Sequence, residues 1–163
     1  MVEANLLGVV WGSRVAVEAM RSDGGHIINM ASMSSFGPVP GLAVYGATKH
    51  AVLGFSGSLQ GDLEQAGIPI RVHAVCPDGV DTGMVRERQA DPDSAIIFSA
   101  PRLLAPDEVA EKAVALLDSK KIVLAIPRNR AWLTRTLAAF PRADLRMLEL
   151  FRKAGERKRQ KAG

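Results

Sequence analysis

The chain has 163 residues, 47% apolar and 5% aromatic, which suits one globular α/β domain with a real core. Its single cysteine excludes a disulfide within the chain, and neither a signal-like leader nor an apolar run of membrane-spanning length is present, so a reduced, cytoplasmic setting is expected. The net charge of +4 is local: Arg152, Lys153, Arg157, Lys158, Arg159 and Lys161 against Glu156 give the last twelve residues +5, leaving −1 for residues 1–151. That tail reads as a solvated, frayed helix end, and with no aromatic among its charges no nucleic-acid partner is expected.

In chain order, apolar positions recur at helical spacing from about Glu3 to Met20, and Asp23-Gly24-Gly25 turns the chain. His26 to Ser32 is a short apolar run of strand length. Leu42 to Ala66 reads as a long helix ended by Gly67, and Ile70 to Cys76 as a second strand, with Cys76 in the core. Pro106 to Asp118 predicts an amphipathic helix with proline at its first position and acids in its first turn. Lys121 to Ile126 is a third strand, and helices about 130–140 and 142–161 follow, split by Pro141. Trp132, Leu133, Leu137, Leu145, Leu148 and Leu150 are suited to packing near residues 84–104 or against a second copy of the chain. Strands alternating with helices imply parallel pairing with right-handed crossovers.

The chemistry-bearing pattern lies in HIINMASMSSFGPVPGLAVYGATKHAV, where Ser32 precedes Tyr45 and Lys49. Tyr45 and Lys49 are at i and i+4, so a helix places them on one face, one turn apart. A tyrosine is a poor acid or base at neutral pH, with an unperturbed pKa of about 10, but a neighbouring ammonium favours the phenolate. Reaching about 7 takes roughly 4 kcal/mol, at about 1.36 per unit, more than one exposed lysine supplies. His26, His50 and His73 are scattered over a strand start, a helix and a strand, with no acid or cysteine at ligand spacing, so no metal site is expected. The spaced pair Gly8 and Gly12 has no strand before it and reads as a packing feature. Gly46, Gly54, Gly57 and Gly61 each weaken their helix by about 1 kcal/mol against alanine. Either tertiary packing tolerates them or something approaches closely.

This segment resembles the catalytic segment of the short-chain dehydrogenase/reductases, whose signature is a serine followed by Tyr-x-x-x-Lys. Upstream, EANLLGVVWGSRVAVEAM resembles the family helix that carries a catalytic asparagine, at Asn5 here. Downstream, IRVHAVCPDGVDTGM resembles the strand and turn that hold the nicotinamide. The likeness runs from about Val2 to Pro127. It implies a partial Rossmann-type, doubly wound α/β sheet of parallel strands with flanking helices, its first strands missing. It implies an oxidoreductase that transfers hydride between NAD or NADP and a small-molecule alcohol or ketone. Tyr45 is then the acid/base, Ser32 steadies the substrate oxygen, Lys49 acts on the tyrosine and the ribose, and Asn5 helps hold a water. Tyr45, Lys49, Pro77, Val80 and Thr82 are the cofactor-binding positions. The resemblance also implies a homodimer through helices about 3–20 and 42–66.

Two departures stand out. The family's opening turn, Thr-Gly-x-x-x-Gly-x-Gly, which seats dinucleotide phosphates at a helix N-terminus, does not occur in the sequence. The residue that selects NAD or NADP belongs to that part as well. The chain by itself is therefore expected to bind neither cofactor tightly and to be inactive. The alternative is a non-catalytic remnant or helix-mediated interaction module. The second departure is Pro77-Asp78-Gly79 where the family has Pro-Gly, and Asp78 is expected to point into solvent. Residues 1–127 are read as the second half of the Rossmann domain and 128–163 as a helical extension. Within the first, about 84–104 is a lid whose Ile96, Ile97 and Phe98 hint at a hydrophobic substrate; they are equally suited to a small core.

Overall fold

The computed structural model describes the backbone of residues 1–162 and the side chains of residues 1–158. Three strands, β1 (Gly25–Met30), β2 (Ile70–Pro77) and β3 (Val123–Ile126), form a parallel sheet in the order β1-β2-β3. Gly25 pairs with Ile70 and Met30 with Val75, while Ala74 pairs with Val123 and Pro77 with Ile126. The helices are α1 (Gly8–Met20), α2 (Ala43–Gln65), α3 (Gly83–Glu87), α4 (Pro106–Val114), α5 (Arg128–Ala138) and α6 (Pro141–Ala162). This is the α/β architecture with parallel strands that the sequence predicts. Among the described residues, β1 is paired along one edge only.

The central strand shows why the layers form. β2 is buried at every residue except Arg71, as a parallel strand covered on both faces must be. Ile70, Val72 and Cys76 face α1 and α2, packing with Ile27, Leu63, Val52 and Phe36. Val75 faces the other side, with Leu104, Val109, Leu116 and Ile126. Burying each such Val, Ile or Leu contributes about 1.5–3 kcal/mol before the entropy of ordering is counted. Between the layers runs a polar chain: Ser13 Oγ donates to Asn29 Oδ1 (3.4 Å) and Asn29 Nδ2 donates to Ser56 Oγ (3.0 Å). It ties α1, β1 and α2 together while satisfying buried polar atoms.

Several boundaries differ from the sequence expectation. β1 ends at Met30, because Ser32 leaves the ladder to cap a 3₁₀ turn over Met33–Ser35. β3 begins only at Val123, and α4 gives way to turns after Val114. The helix from Glu3 is π-helical over Glu3–Leu7 before α1 proper. Gly24 (φ +74°) turns the chain into β1, where a Cβ would sit 2.6 Å from the Pro69 carbonyl oxygen, so only glycine fits.

The C-terminal region packs differently from a solvated tail. α6 lies against the 3₁₀ segment Pro92–Ser99; Leu148 and Gly155 are buried, and a Cβ on Gly155 would run into the Ala95 carbonyl. Arg152 pairs with Glu149 and Glu156 along the helix. The expectation of a frayed end is thus corrected as far as Lys158, whose ammonium donates to the Ala100 carbonyl. Side chains of Arg159 and Lys161 lie outside the described residues. Trp132, Leu145 and Leu150 remain exposed.

Candidate active site

Parallel strands present their C-terminal ends along one edge of the sheet, where α/β folds place their sites. Ser32 follows the end of β1, and α2 starts back across the sheet from that edge with Tyr45 in its first turn. The loop between them is stitched in place. Ser32 Oγ accepts the Ser34 amide (3.2 Å), which leaves the hydroxyl proton for another acceptor. Ser35 Oγ accepts the Ser32 amide (3.3 Å) and donates to the Lys49 carbonyl (2.8 Å), joining the loop to α2.

Lys49 reaches back from α2 to the strand. Its Nζ donates to the Met30 carbonyl at 2.7 Å, using one of three N–H donors, and lies 5.7 Å from the centre of the Tyr45 ring. The side chain is half-buried, and desolvation holds its pKa below the ordinary lysine value. Asn5 sits in the π-helical turn, a backbone form concentrated at functional sites. Its Nδ2 faces Thr48 Oγ1 at 3.5 Å, and Thr48 Oγ1 donates to the Tyr45 carbonyl (2.7 Å). Contacts therefore link Asn5, Ser32, Tyr45 and Lys49 through α2.

The turn after β2 approaches the same edge. Asp78 N donates to the Ile126 carbonyl (2.8 Å), and Val80 bridges to Leu104. Leu104 N donates to Gly79 O (2.8 Å) and Asp81 N to Leu104 O (2.9 Å). Thr82 caps α3 through its backbone and makes no side-chain cap bond. Pro77, Val80 and Thr82 belong to this turn; the structure shows no bond from their side chains to Tyr45 or Lys49.

Asp78 does not point into solvent, contrary to expectation. Its Oδ2 lies 2.9 Å from Arg130 Nε, with the two side chains 11% and 22% exposed. Burial raises its pKa, while the Arg130 charge and the Gly79 amide oppose that shift. Arg130 was invisible to motif reading because it lies far along the chain; the acid inserted between Pro77 and Gly79 was the one available signal. The histidines are not all scattered either. His26 Nδ1 and His73 Nε2 meet at 2.9 Å across adjacent strands, and His73 Nδ1 is 2.6 Å from the Lys121 carbonyl. Among the described residues, no group of three or more His, Cys, Asp or Glu is placed to hold a metal. Burial pushes the Cys76 thiol up to about 11, so it is a packing residue and a poor nucleophile. Among the described residues, a Cβ on Gly46, Gly54, Gly57 or Gly61 would meet nothing within 4 Å beyond its own helix, so no close approach there explains them. Gly12 is exposed, and not a packing feature among the described residues.

The profile of the short chain dehydrogenase family matches residues 1–93. A probable oxidoreductase of Mycobacterium bovis, EphD, is 32% identical over 135 residues, covering 74% of this chain and 22% of that protein. Carbonyl reductase family member 4 of Xenopus laevis is 32% identical over 123 residues, covering 75% of this chain and 51% of that protein. The chain thus spans about half or less of the length of these curated relatives. Among solved structures, a short chain dehydrogenase from Burkholderia cenocepacia in complex with NADP superposes with a TM-score of 0.72 at 26% identity, over 90% of this chain and 56% of that one. One from Burkholderia phymatum in complex with NAD gives 0.68 at 25%, over 80% and 53%. With a family match over more than half its length and the parallel α/β fold to go with it, the chain belongs to the short chain dehydrogenase family.

Proposed function

We propose that this chain carries the proton-transfer part of a nicotinamide-dependent oxidoreductase acting on an alcohol or ketone. The observation that carries the reading is Lys49: a half-buried ammonium beside the Tyr45 ring, bonded to the strand end that delivers Ser32. In oxidation, the Tyr45 phenolate takes the hydroxyl proton of the substrate; in reduction the phenol returns it. Ser32 donates its hydroxyl proton to the substrate oxygen and so stabilises alkoxide character. Lys49 favours the phenolate by its charge and offers donors to a ribose. Asn5, at the π-helical turn against Thr48, helps hold the water through which Lys49 exchanges protons with solvent.

A nicotinamide dinucleotide, NAD or NADP, supplies the hydride acceptor or donor when bound. The residues present fit its nicotinamide–ribose end: Lys49 has donors beyond the one spent on Met30, and the turn of Pro77, Val80 and Thr82 lies at the same sheet edge. Relatives solved with NADP and with NAD support the cofactor class and leave both open. The family's phosphate-seating turn is not among these residues, so the fit extends to the nicotinamide–ribose end only. Residues 84–104 form the wall over the substrate, and Ile96, Ile97 and Phe98 favour a hydrophobic one. Residues 128–163 are the extension that supports this wall.

A homodimer through helices 3–20 and 42–66 suits the exposed apolar residues there: Trp11 (57% exposed), Val15 and Leu7 on or beside α1, and Val44 on α2. No helix among the described residues is long and apolar enough to cross a membrane, and a cytoplasmic setting accords with the lone thiol of Cys76.

The test is calorimetric titration of NAD and NADP into the chain, by itself and joined to a dinucleotide-binding half of the family, followed by cofactor-coupled oxidation of hydrophobic alcohols. Binding and turnover are expected in the joined form only. Micromolar binding by the chain itself contradicts this division of labour; a joined form that binds cofactor but oxidises no alcohol contradicts the oxidoreductase reading.

A further inference from the structure

We propose that Arg130 is a positioning residue that latches residues 92–104 onto the turn after β2, so that α5 and α6 hold the wall over the site. The proposal deepens the proposed function, which makes that wall the substrate's cover, but the latch itself stands on geometry alone.

Residues 92–104 have little regular structure of their own. The segment is a 3₁₀ stretch, Pro92–Ser99, followed by turns that reach the bridge between Leu104 and Val80. Its far end is anchored by the backbone bonds between Leu104 and the turn. Its middle is held by side chains from elsewhere, and Arg130, in the first turn of α5, makes contact with three separate elements. Its Nε pairs with Asp78 Oδ2 at 2.9 Å, and its Nη2 donates to Ser99 Oγ at 2.9 Å. Its guanidinium carbon lies 5.6 Å from the centre of the Phe151 ring on α6. α6 closes over the segment beside it, with Gly155 against the Ala95 carbonyl and Lys158 Nζ donating to the Ala100 carbonyl.

The two polar contacts have different strengths. The Asp78–Arg130 pair is largely buried, and removing either partner would strand a charge, so it is a fixed post. The bond to one Ser99 hydroxyl is the weaker contact and can open first. Opening that bond releases Arg130's hold on residues 92–104, which α6 still contacts through Gly155 and Lys158, while Arg130 stays on the turn after β2. Arg130 meets Asp78 by charge alone, since Asp78 Oδ2 has no hydrogen-bond partner among the described residues, and meets Ser99 by a hydrogen bond from Nη2; a lysine ammonium, a single compact charge, keeps the post and loses the latch. On this account Asp78 is the site-side half of a device whose other half lies in the C-terminal helices.

Hydrogen exchange on the full chain, followed by mass spectrometry over segments 70–77, 78–82 and 92–104, tests this. Arg130→Met should speed exchange in 92–104 by roughly tenfold or more, with 70–77 unchanged. Ser99→Ala should give a smaller acceleration confined to 92–104. Arg130→Lys should restore protection of 78–82 without restoring 92–104. Unchanged exchange in 92–104 for both Arg130→Met and Ser99→Ala would overturn the proposal, as would acceleration spread equally over 70–77. If Arg130→Met does not fold, Ser99→Ala decides by the same criterion. No readout needs cofactor or turnover, so a failure of the oxidoreductase reading would show in the calorimetry and alcohol assays and leave this result untouched.

Discussion

The edge formed by Ser32, Tyr45 and Lys49 and the clamp formed by Asp78, Arg130 and α6 are built in opposite ways. The first is a single strand–loop–helix unit. Lys49 bonds to Met30, Ser35 to the Lys49 carbonyl, and Ser34 to Ser32, all within one crossover. The second joins the turn after β2, a 3₁₀ segment and two C-terminal helices through side chains distant in sequence. The difference teaches which parts of a site local spacing can encode: the residues proposed to transfer the proton are held by their own neighbours, and residues 92–104 are held by side chains from the rest of the chain.

That contrast breaks most readily at Lys49. In an active form joined to a dinucleotide-binding half, Lys49→Met should damage cofactor binding and turnover together, because it removes both the charge beside Tyr45 and the ribose donor. Steady-state kinetics and calorimetry read the two effects; loss of one without the other would separate the roles assigned to that ammonium. Ser32→Ala should lower kcat by an amount equivalent to about 2.7–4 kcal/mol, the loss of one oxyanion donor, with cofactor affinity retained.

On the clamp side the effects are smaller and concern stability. Gly155→Ala places a methyl where the Ala95 carbonyl stands, so α6 must shift; denaturant unfolding should show a loss of about 1–3 kcal/mol. Asp144, 1% exposed, has an Oδ2 without a hydrogen-bond partner, and burial raises its pKa above the ordinary aspartate value. A raised folded-state pKa means the carboxyl favours folding when protonated, and this contribution is lost as pH rises through the folded value. Asp144→Asn should therefore stabilise the chain at pH 7 by about 1 kcal/mol, with the gap closing below roughly pH 4. Thermal melts across that range check the sign.

The same contrast explains what was legible. Periodicity and punctuation placed the three strands and the long helices, because β2 is apolar apart from Arg71 and His73 and Gly67 (φ +66°) ends α2. Ser32, Tyr45 and Lys49 were legible because one crossover unit fixes their spacing. Ser32 fell outside β1 because its hydroxyl competes with the ladder for the Ser34 amide. The Asp78–Arg130 pair and the His26–His73 contact required knowing strand register and helix docking, which no local pattern carries. Trp132 stays 70% exposed for a related reason: helical spacing marks an apolar face but does not say what covers it.

The central claim is that Tyr45 moves the proton. The most direct measurement is the pH dependence of alcohol oxidation by the joined form, for the native sequence and for Tyr45→Phe, with cofactor affinity measured alongside. Tyr45→Phe removes one hydroxyl and little volume, so the account predicts unchanged folding, near-native cofactor affinity and turnover reduced by about 10²–10⁴-fold or more. Turnover within a few-fold of native, with the same pH profile, would contradict the account.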